Sequence, residues 1–421
     1  MTYREFADTG YLDGIAQTPR VKTLSDDQQA ALHEACLFMD DPERKEMVVG
    51  GVAGSGKSSI IPWIISEAYD RGMVPAVCAP TGKAVMVLKR KGITFARTLH
   101  SMLYEAKRRT VLLSPNDSPV IFVRRNPEEF TWLNLLVVDE ASMISGEMHD
   151  YIQTLPFKVI YVGDHFQLPP VNDDFNIMES PDVRLERILR QNQDNPIVML
   201  SDTVRNGGAL PYGIFGESVH TRVLDRNDLL KFDEVIVWTN KCKDEVNSLI
   251  REMRGFPAGI PVIDDKMIVK ANSLSRNVCN GQIVYLTGQR PSKNRDGSWK
   301  LEFIDELAHD DPFIMAQTND YTRVNATVHL SKMEIERRRS YDFKNKKSGC
   351  PCVHLDWGYA ITCHAAQGSS WGNVAVIDEK RMHFMEDWNR WMYTALTRAE
   401  ESVHVYTGSI SDLLGAGKPE K

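Results

Sequence analysis

The sequence predicts an α/β protein of two parallel-sheet lobes, with a β-hairpin insert in the first lobe and a small β domain inserted in the second. Three observations carry this. Short apolar runs recur at 76–79, 135–138, 159–162, 235–238, 374–377 and 403–406 with helical patterns between several of them, the alternation that parallel sheets covered by helices produce. The runs fall into two sets, one before about residue 190 and one after about residue 230. Two stretches break the alternation, and both read as β.

A chain of 421 residues is long enough for about two or three domains. Hydrophobic residues at 42% and charged residues at 25% are ordinary for a globular protein. No apolar run approaches the ~20 residues that cross a bilayer, which argues against a membrane protein. The polar, acidic start has no basic stretch followed by an apolar one, so no secretion signal is expected and the cytoplasm is the expected location. The net charge of −7 gives no global sign of nucleic-acid binding, so any such groove must be local. The seven cysteines are odd in number and lack paired metal-ligand spacing, and are read as reduced and mostly structural. Cys350 and Cys352, around Pro351, could be reactive, but the favoured reading is of partly buried small residues beside a strand.

Taken in order, Ser25-Asp26-Asp27-Gln28 reads as a capping box opening a helix toward Phe38. A strand over 46–50 then runs into Gly51-Val52-Ala53-Gly54-Ser55-Gly56-Lys57-Ser58, the P-loop pattern in its proper place after a strand and before a helix. Pro62 is expected to kink that helix. Between Leu99 and Asn134, strands at 110–113 and 120–123 flank a turn with two prolines, a hairpin insert over about 99–130. The first lobe is expected to span 1–190 and the second 191–421, the latter interrupted at 282–355 by the second β-rich stretch. That stretch ends in Arg337, Arg338, Arg339, Lys344, Lys346 and Lys347, read as a solvated face with a smaller chance of meeting phosphates.

The P-loop glycines let backbone N–H groups curl around phosphates, Lys57 adds a point charge at the β and γ oxygens, and Ser58 offers a hydroxyl to Mg²⁺. Gly51, Gly54, Ser55, Gly56, Lys57, Ser58 and Ser59 are therefore the candidate nucleotide cradle. The apolar run 135–138 delivers Asp139 and Glu140 to the carboxyl end of a strand, where open α/β sheets bind ligands. Asp139 suits the metal and Glu140 suits polarising the attacking water. Gln167, in Gly163-Asp164-His165-Phe166-Gln167-Leu168-Pro169-Pro170, is a candidate γ-phosphate sensor.

The order Gln28, P-loop, Asp-Glu-Ala-Ser and Gly-Asp-x-x-Gln-Leu-Pro-Pro resembles the superfamily 1 helicases. The second lobe adds to it. Leu189-Arg190-Gln191 resembles motif IV, Trp238-Thr239-Asn240 with Asn247 resembles the approach to the second lobe, and Asn280-Gly281 the turn before its insert. The run from Tyr359 through Thr362, His364, Gln367 and Gly368 to Ser369 is similar to motif V, and Tyr393-Thr394-Ala395-Leu396-Thr397-Arg398-Ala399 to motif VI. The Thr-x-His-x-x-Gln-Gly spacing and the short inserts point to the 5′ to 3′ branch typified by Dda and RecD, and the compact size resembles phage accessory helicases.

The resemblance implies two RecA-like lobes, an SH3-like insert in the second, ATP with Mg²⁺ as cofactors, and movement along single-stranded DNA. It implies that Gln28 reads adenine, that Arg190 and Arg398 reach the γ-phosphate from the second lobe, and that Gly368 belongs to the nucleotide site. An arginine supplied in this way stabilises charge on the transferred phosphoryl group. For DNA it points to Thr81, His100, Asn240, Thr362 and His364, a set of hydroxyls, amides and imidazoles suited to sugar-phosphate contacts. The hairpin would be the wedge at the fork, with Phe122 stacking on a base, or else an ordinary surface hairpin with Phe122 packed inward. Implied partners are single-stranded and forked DNA and single-strand-binding or replication proteins; a monomer is expected. A translocase that strips bound proteins, an ATP-gated DNA-binding module of a larger complex, and RNA as the track stay open at this stage.

Overall fold

The computed structural model describes residues 23–108, 120–170, 173, 175–187, 195–270, 278, 280–294, 298–306, 322–328, 353–379, 388–408 and 410. The chain divides into two compact units. The first holds residues 1–105, 124–210 and 386–397, and the second holds 106–123, 211–385 and 398–421.

In chain order the first unit begins with α1 (Asp26–Asp40), whose Ser25 hydroxyl and Gln28 side chain form the reciprocal capping box. Then come β1 (Glu46–Gly51), α2 (Lys57–Asp70), β2 (Pro75–Ala79), α3 (Gly82–Arg90), β3 (Arg97–Thr98) and α4 (Leu99–Leu103). The hairpin strands β4 (Tyr104–Arg108) and β5 (Val120–Arg124) pair as a two-stranded sheet, and residues 106–123 group with the second unit rather than with the first lobe, where the insert was expected. After them come β6 (Leu135–Val138), α5 (Gly146–Gln153), β7 (Lys158–Gly163), β8 (Val183–Leu185) and α6 (Pro196–Arg205).

Six of these strands form one sheet in the order β3-β2-β6-β7-β1-β8, every neighbouring pair parallel. Its central strands are buried on both faces because side chains alternate along them. Leu135, Val137, Ile160 and Val162 enter the core under α1 and α2 with Ile60, Ile61, Ile64 and Ile65. Leu136, Val138, Val159 and Tyr161 enter the opposite core with Leu103, Ile152 and Phe157. Helix α2 continues through Pro62, whose missing N–H leaves one carbonyl of the preceding turn without its helical partner.

The second unit holds β9 (Gly213–Phe215), β10 (Ser218–Thr221), β11 (Glu234–Val237), α7 (Asn240–Met253), β12 (Lys266–Val269), β13 (Ile283–Leu286), β14 (Ser292–Lys293), β15 (Trp299–Asp305), β16 (Thr322–Val328), β17 (Val353–Trp357), β18 (Ala360–Thr362), α8 (Cys363–Ala366) and β19 (Trp371–Asp378). Helix α9 (Trp388–Leu396) precedes its last strand, β20 (Ala399–Thr407). One sheet runs β18-β11-β19-β20-β10-β9 and is parallel except at the β9 edge. The other runs β13-β12-β17-β16-β15-β14 and is antiparallel except at β16–β17; an extra β13–β15 pairing closes it on itself.

Three boundaries differ from those expected. The first hairpin strand is 104–108, ahead of the apolar run at 110–113, which lies outside the described residues. The closed sheet begins at β12 and ends at β17, because Met267 and Val269 pack in its core with Leu355 and Trp357. Residues 195–210 and 386–397 belong to the first unit, where α9 packs on α6 through an almost wholly buried face that includes Trp391 and Tyr393. The basic cluster at 337–347 and the Cys350–Cys352 pair lie outside the described residues; among the described residues Cys36, Cys78, Cys242 and Cys363 form no disulfide.

Candidate functional site

The first site grows from the turn between β1 and α2. Gly54 and Gly56 both take φ of 79°, a left-handed backbone that side chains resist. Gly51 has a different reason to be glycine. A Cβ there would sit 2.7 Å from Ser55 Oγ and 2.9 Å from Lys57 Cγ, so the loop closes only without one. Helix α2 starts from Gly56 with no side-chain cap; Ser59 N donates to Gly56 O at 2.9 Å, and the positive end of the helix is left to an anion. The buried Ser55 Oγ has no hydrogen-bond partner among the described residues. This cradle fits the phosphates of a nucleotide. Lys57 Nζ donates to Val52 O at 2.8 Å and lies 3.6 Å from Asp164 Oδ2. Gln28, buried, donates from Nε2 to Gly56 O at 3.1 Å while Oε1 accepts from Ser25 N, tying the start of α1 to the same loop.

The carboxylates stand at the end of β6. Asp139 is buried and in hydrogen-bond contact with the Ser58 side chain; burial raises its carboxyl above the usual range, opposed by the positive charge of Lys91 and by the Ser58 contact. A cation here would reverse that burial penalty. Hydroxyl and carboxylate are hard oxygen donors, and Mg²⁺ is commonly held by one or two such ligands together with phosphate oxygens and water. The residues therefore fit the ion. Glu140 takes φ 54° and ψ 41°, a left-handed conformation that costs a non-glycine residue on the order of 1 kcal/mol. Gly163, at the end of β7, lets that turn approach: a Cβ would lie 3.1 Å from Ala141 N and 3.2 Å from Ser142 N.

After β7, Asp164 and Gln167 are both buried. Tyr393 on α9 donates its hydroxyl to Asp164 Oδ2 at 2.9 Å and accepts the Ala53 N–H of the loop at 2.9 Å. Leu168 N donates to Thr394 Oγ1 at 3.0 Å, and the Phe166 and Tyr393 rings lie 5.8 Å apart. Burial, then the Asp164 charge, holds the Tyr393 hydroxyl protonated well above the usual tyrosine range. Sequence reading placed Asp164 and Tyr393 inside motifs without giving either a role. Their partnership joins positions 229 apart, and no local pattern announces it.

Along the carboxyl edge of this sheet the candidates sort by strand. The nucleotide candidates come after β1, β6 and β7, whereas Thr81 and His100 come after β2 and β3 at the far end of the row. The Thr81 side chain caps α3 by accepting from Ala84 N at 3.2 Å. His100 is exposed and stacks on Tyr104 with ring centroids 5.2 Å apart. The hairpin is rooted where Tyr151 donates to Arg125 O and Arg124 pairs with Glu147 at 2.8 Å. Phe122, on β5, is 53% exposed.

In the second unit, β11 and β18 are parallel neighbours with Val237 opposite Thr362. Asn240, exposed at the start of α7, and Thr362 and His364, at the start of α8, thus come to one sheet edge. Asn247 is structural, because its side chain bonds Tyr359 N, Ala360 N and Ala360 O and fixes α7 to β18. Gly368 takes φ 71°, and the buried Arg398 donates from Nη1 to Ser369 O at 3.0 Å, so these two candidates are brought close within this unit. Arg190 lies outside the described residues.

Comparison with known proteins agrees with the motif order. A profile for an AAA domain matches residues 23–219, and one for a UvrD-like helicase C-terminal domain matches residues 358–406. The ATP-dependent RecD2 DNA helicase of Deinococcus radiodurans is 26% identical over 393 residues, covering 90% of this chain and 48% of its own length. The conjugal transfer protein TraA of Rhizobium radiobacter is 26% identical over 428 residues, 94% of this chain and 34% of its own. This chain thus spans about half or less of the length of these curated relatives. Among solved structures, Bacteroides Pif1 helicase in complex with ADP-AlF3 and single-stranded DNA aligns with TM-score 0.54 at 16% identity, covering 91% of this chain and 92% of that one. No helix among the described residues is long and apolar enough to cross a membrane. With the helicase motifs in order, the chain carries an AAA domain followed by a UvrD-like helicase C-terminal domain, shares the fold of Pif1, and is similar to the superfamily 1 helicases of the branch that includes RecD.

Proposed function

We propose that the chain hydrolyses ATP to move along single-stranded DNA in the 5′ to 3′ direction and separates the duplex it meets. The observation that carries this is the edge of the first sheet, where Lys57, Ser58, Asp139, Glu140 and Gln167 come after adjacent strands β1, β6 and β7. Lys57 and the first-turn amides of α2 bind and orient the phosphates. Ser58 and Asp139 would hold Mg²⁺, which when bound supplies positive charge to the phosphate oxygens. Glu140 accepts the proton of the attacking water, Gln167 reads the γ-phosphate end, and Arg398 answers the charge that develops on transfer. Thr81, His100, Asn240, Thr362 and His364 contact the sugar-phosphate track, which makes grip independent of sequence. The RecD2 relative, a DNA helicase, supports DNA as the track, and the branch resemblance supports the polarity.

The test compares ATP turnover on single-stranded DNA, duplex DNA and RNA, then unwinding of duplexes with a 5′ or a 3′ tail. Turnover stimulated most by single-stranded DNA, with faster unwinding from the 5′ tail, is expected. Faster unwinding from the 3′ tail overturns the polarity, and stimulated turnover without strand separation assigns a translocase that displaces bound proteins.

A further inference from the structure

Two side chains meet at one oxygen of a buried carboxylate whose other oxygen, Oδ1, accepts from Phe166 N at 3.0 Å. Asp164, fully buried, has Lys57 Nζ at 3.6 Å and the Tyr393 hydroxyl at 2.9 Å, both at Oδ2. Lys57 is the group that has to turn to the phosphates of a nucleotide, resting on the reading of the loop given above. When it does, Asp164 loses its cation, and leaving Oδ2 of a buried carboxylate without a donor is costly even though Oδ1 keeps Phe166 N. Tyr393 is placed to prevent that loss. Its hydroxyl is a neutral donor, so it needs no counter-charge of its own, and it is fixed from its other side by the Ala53 N–H. The ring is held by burial and by Phe166, so little side-chain entropy remains to be lost.

We propose that Tyr393 is a positioning residue of the phosphate site, which keeps the buried Asp164 carboxylate hydrogen-bonded so that Lys57 is free to engage nucleotide. The same two bonds attach α9 to both the loop and the turn after β7, so engagement of Lys57 is felt by the helix that leads along the chain to Arg398.

The experiment measures the affinity of a fluorescent ATP analogue with Mg²⁺, and the kcat and KM of turnover, for the wild-type chain, Tyr393→Phe, Asp164→Asn and the double variant. Tyr393→Phe keeps the ring and should raise Kd about tenfold or more with a smaller change in kcat. In the double variant the neutral amide needs no compensating donor, and Kd should return to within about threefold of Asp164→Asn alone. Asp164→Asn by itself should bind as well as wild type or better, since it no longer competes for Lys57. That prediction stands even if Tyr393→Phe fails to fold, which thermal melting reports. A Tyr393→Phe chain that binds like wild type, a defect that persists in the double variant, or a tenfold weaker Asp164→Asn would each overturn the proposal. The binding arm contains no DNA, so a chain that binds nucleotide but moves no strand would cost the helicase reading and leave this one standing.

Discussion

The two parallel sheets share a plan and differ in the residues set at the ends of their strands. In the first, the ends of β1, β6 and β7 carry glycines in left-handed conformations, a lysine and two adjacent acids. In the second, the ends of β11 and β18 carry an amide, a hydroxyl and an imidazole, with no acid among Asn240, Thr362 and His364. The sheet supplies an edge with open backbone groups in both cases. Chemistry is decided by whether the next residues can curl around anions and bind a hard cation, or can only offer neutral hydrogen bonds. Strain obeys the same division: Glu140, in the first sheet's loop, is left-handed, whereas Asn240, Thr362 and His364 are absent from the positive-φ residues.

The sharpest way to break this comparison is Lys57→Ala. Turnover should fall by at least the ~10²–10³-fold that accompanies loss of one preorganised transition-state donor, with the fold intact because Asp164 retains Tyr393. Binding of single-stranded DNA without nucleotide should stay within a few-fold of wild type. Near-normal kcat sinks the nucleotide assignment; lost DNA binding would erase the division of labour between the edges. Next in size, Glu140→Gln should slow hydrolysis on the order of 10²-fold while nucleotide and Mg²⁺ affinity persist, since Asp139 remains. Collapse of affinity with unchanged residual turnover would exchange the roles of the two acids. Smallest, Phe122→Ala should reduce unwinding about fivefold, a stacking contact of roughly 1 kcal/mol, and spare DNA-stimulated turnover. Equal loss of both assigns the hairpin to general DNA binding or to stability of the fold.

Much of the first site could be read from the chain because its signals are local. The loop glycines, the capping box and the acid pair after an apolar strand each occupy a few consecutive positions. The parallel strands could be read for the same reason, as buried runs four to eight residues long. The hairpin's first strand could not. Tyr104-Glu105-Ala106-Lys107-Arg108 has no apolar alternation, and its pairing with β5 supplies the order that its composition does not. Strand β12 was missed as part of the closed sheet because nothing within Lys266–Val269 says which partners it takes. Tyr393 was hidden in another way. Inside motif VI it reads as a core aromatic, and only tertiary structure gives its hydroxyl two partners on distant turns.

Because residues 386–397 complete the first unit, that unit is not finished when its own sheet is. A ribosome has made every strand of the nucleotide-binding sheet once it passes β8, yet the helix that holds Ala53 and Asp164 emerges only after the whole of β9–β19. The nucleotide pocket therefore matures late, through long-range closure rather than domain by domain. A nascent or broken chain that stops before α9 would expose the face of α6 that α9 covers, and would lack Tyr393 beside its P-loop. The order of synthesis thus ties a fully formed phosphate site to possession of the second lobe.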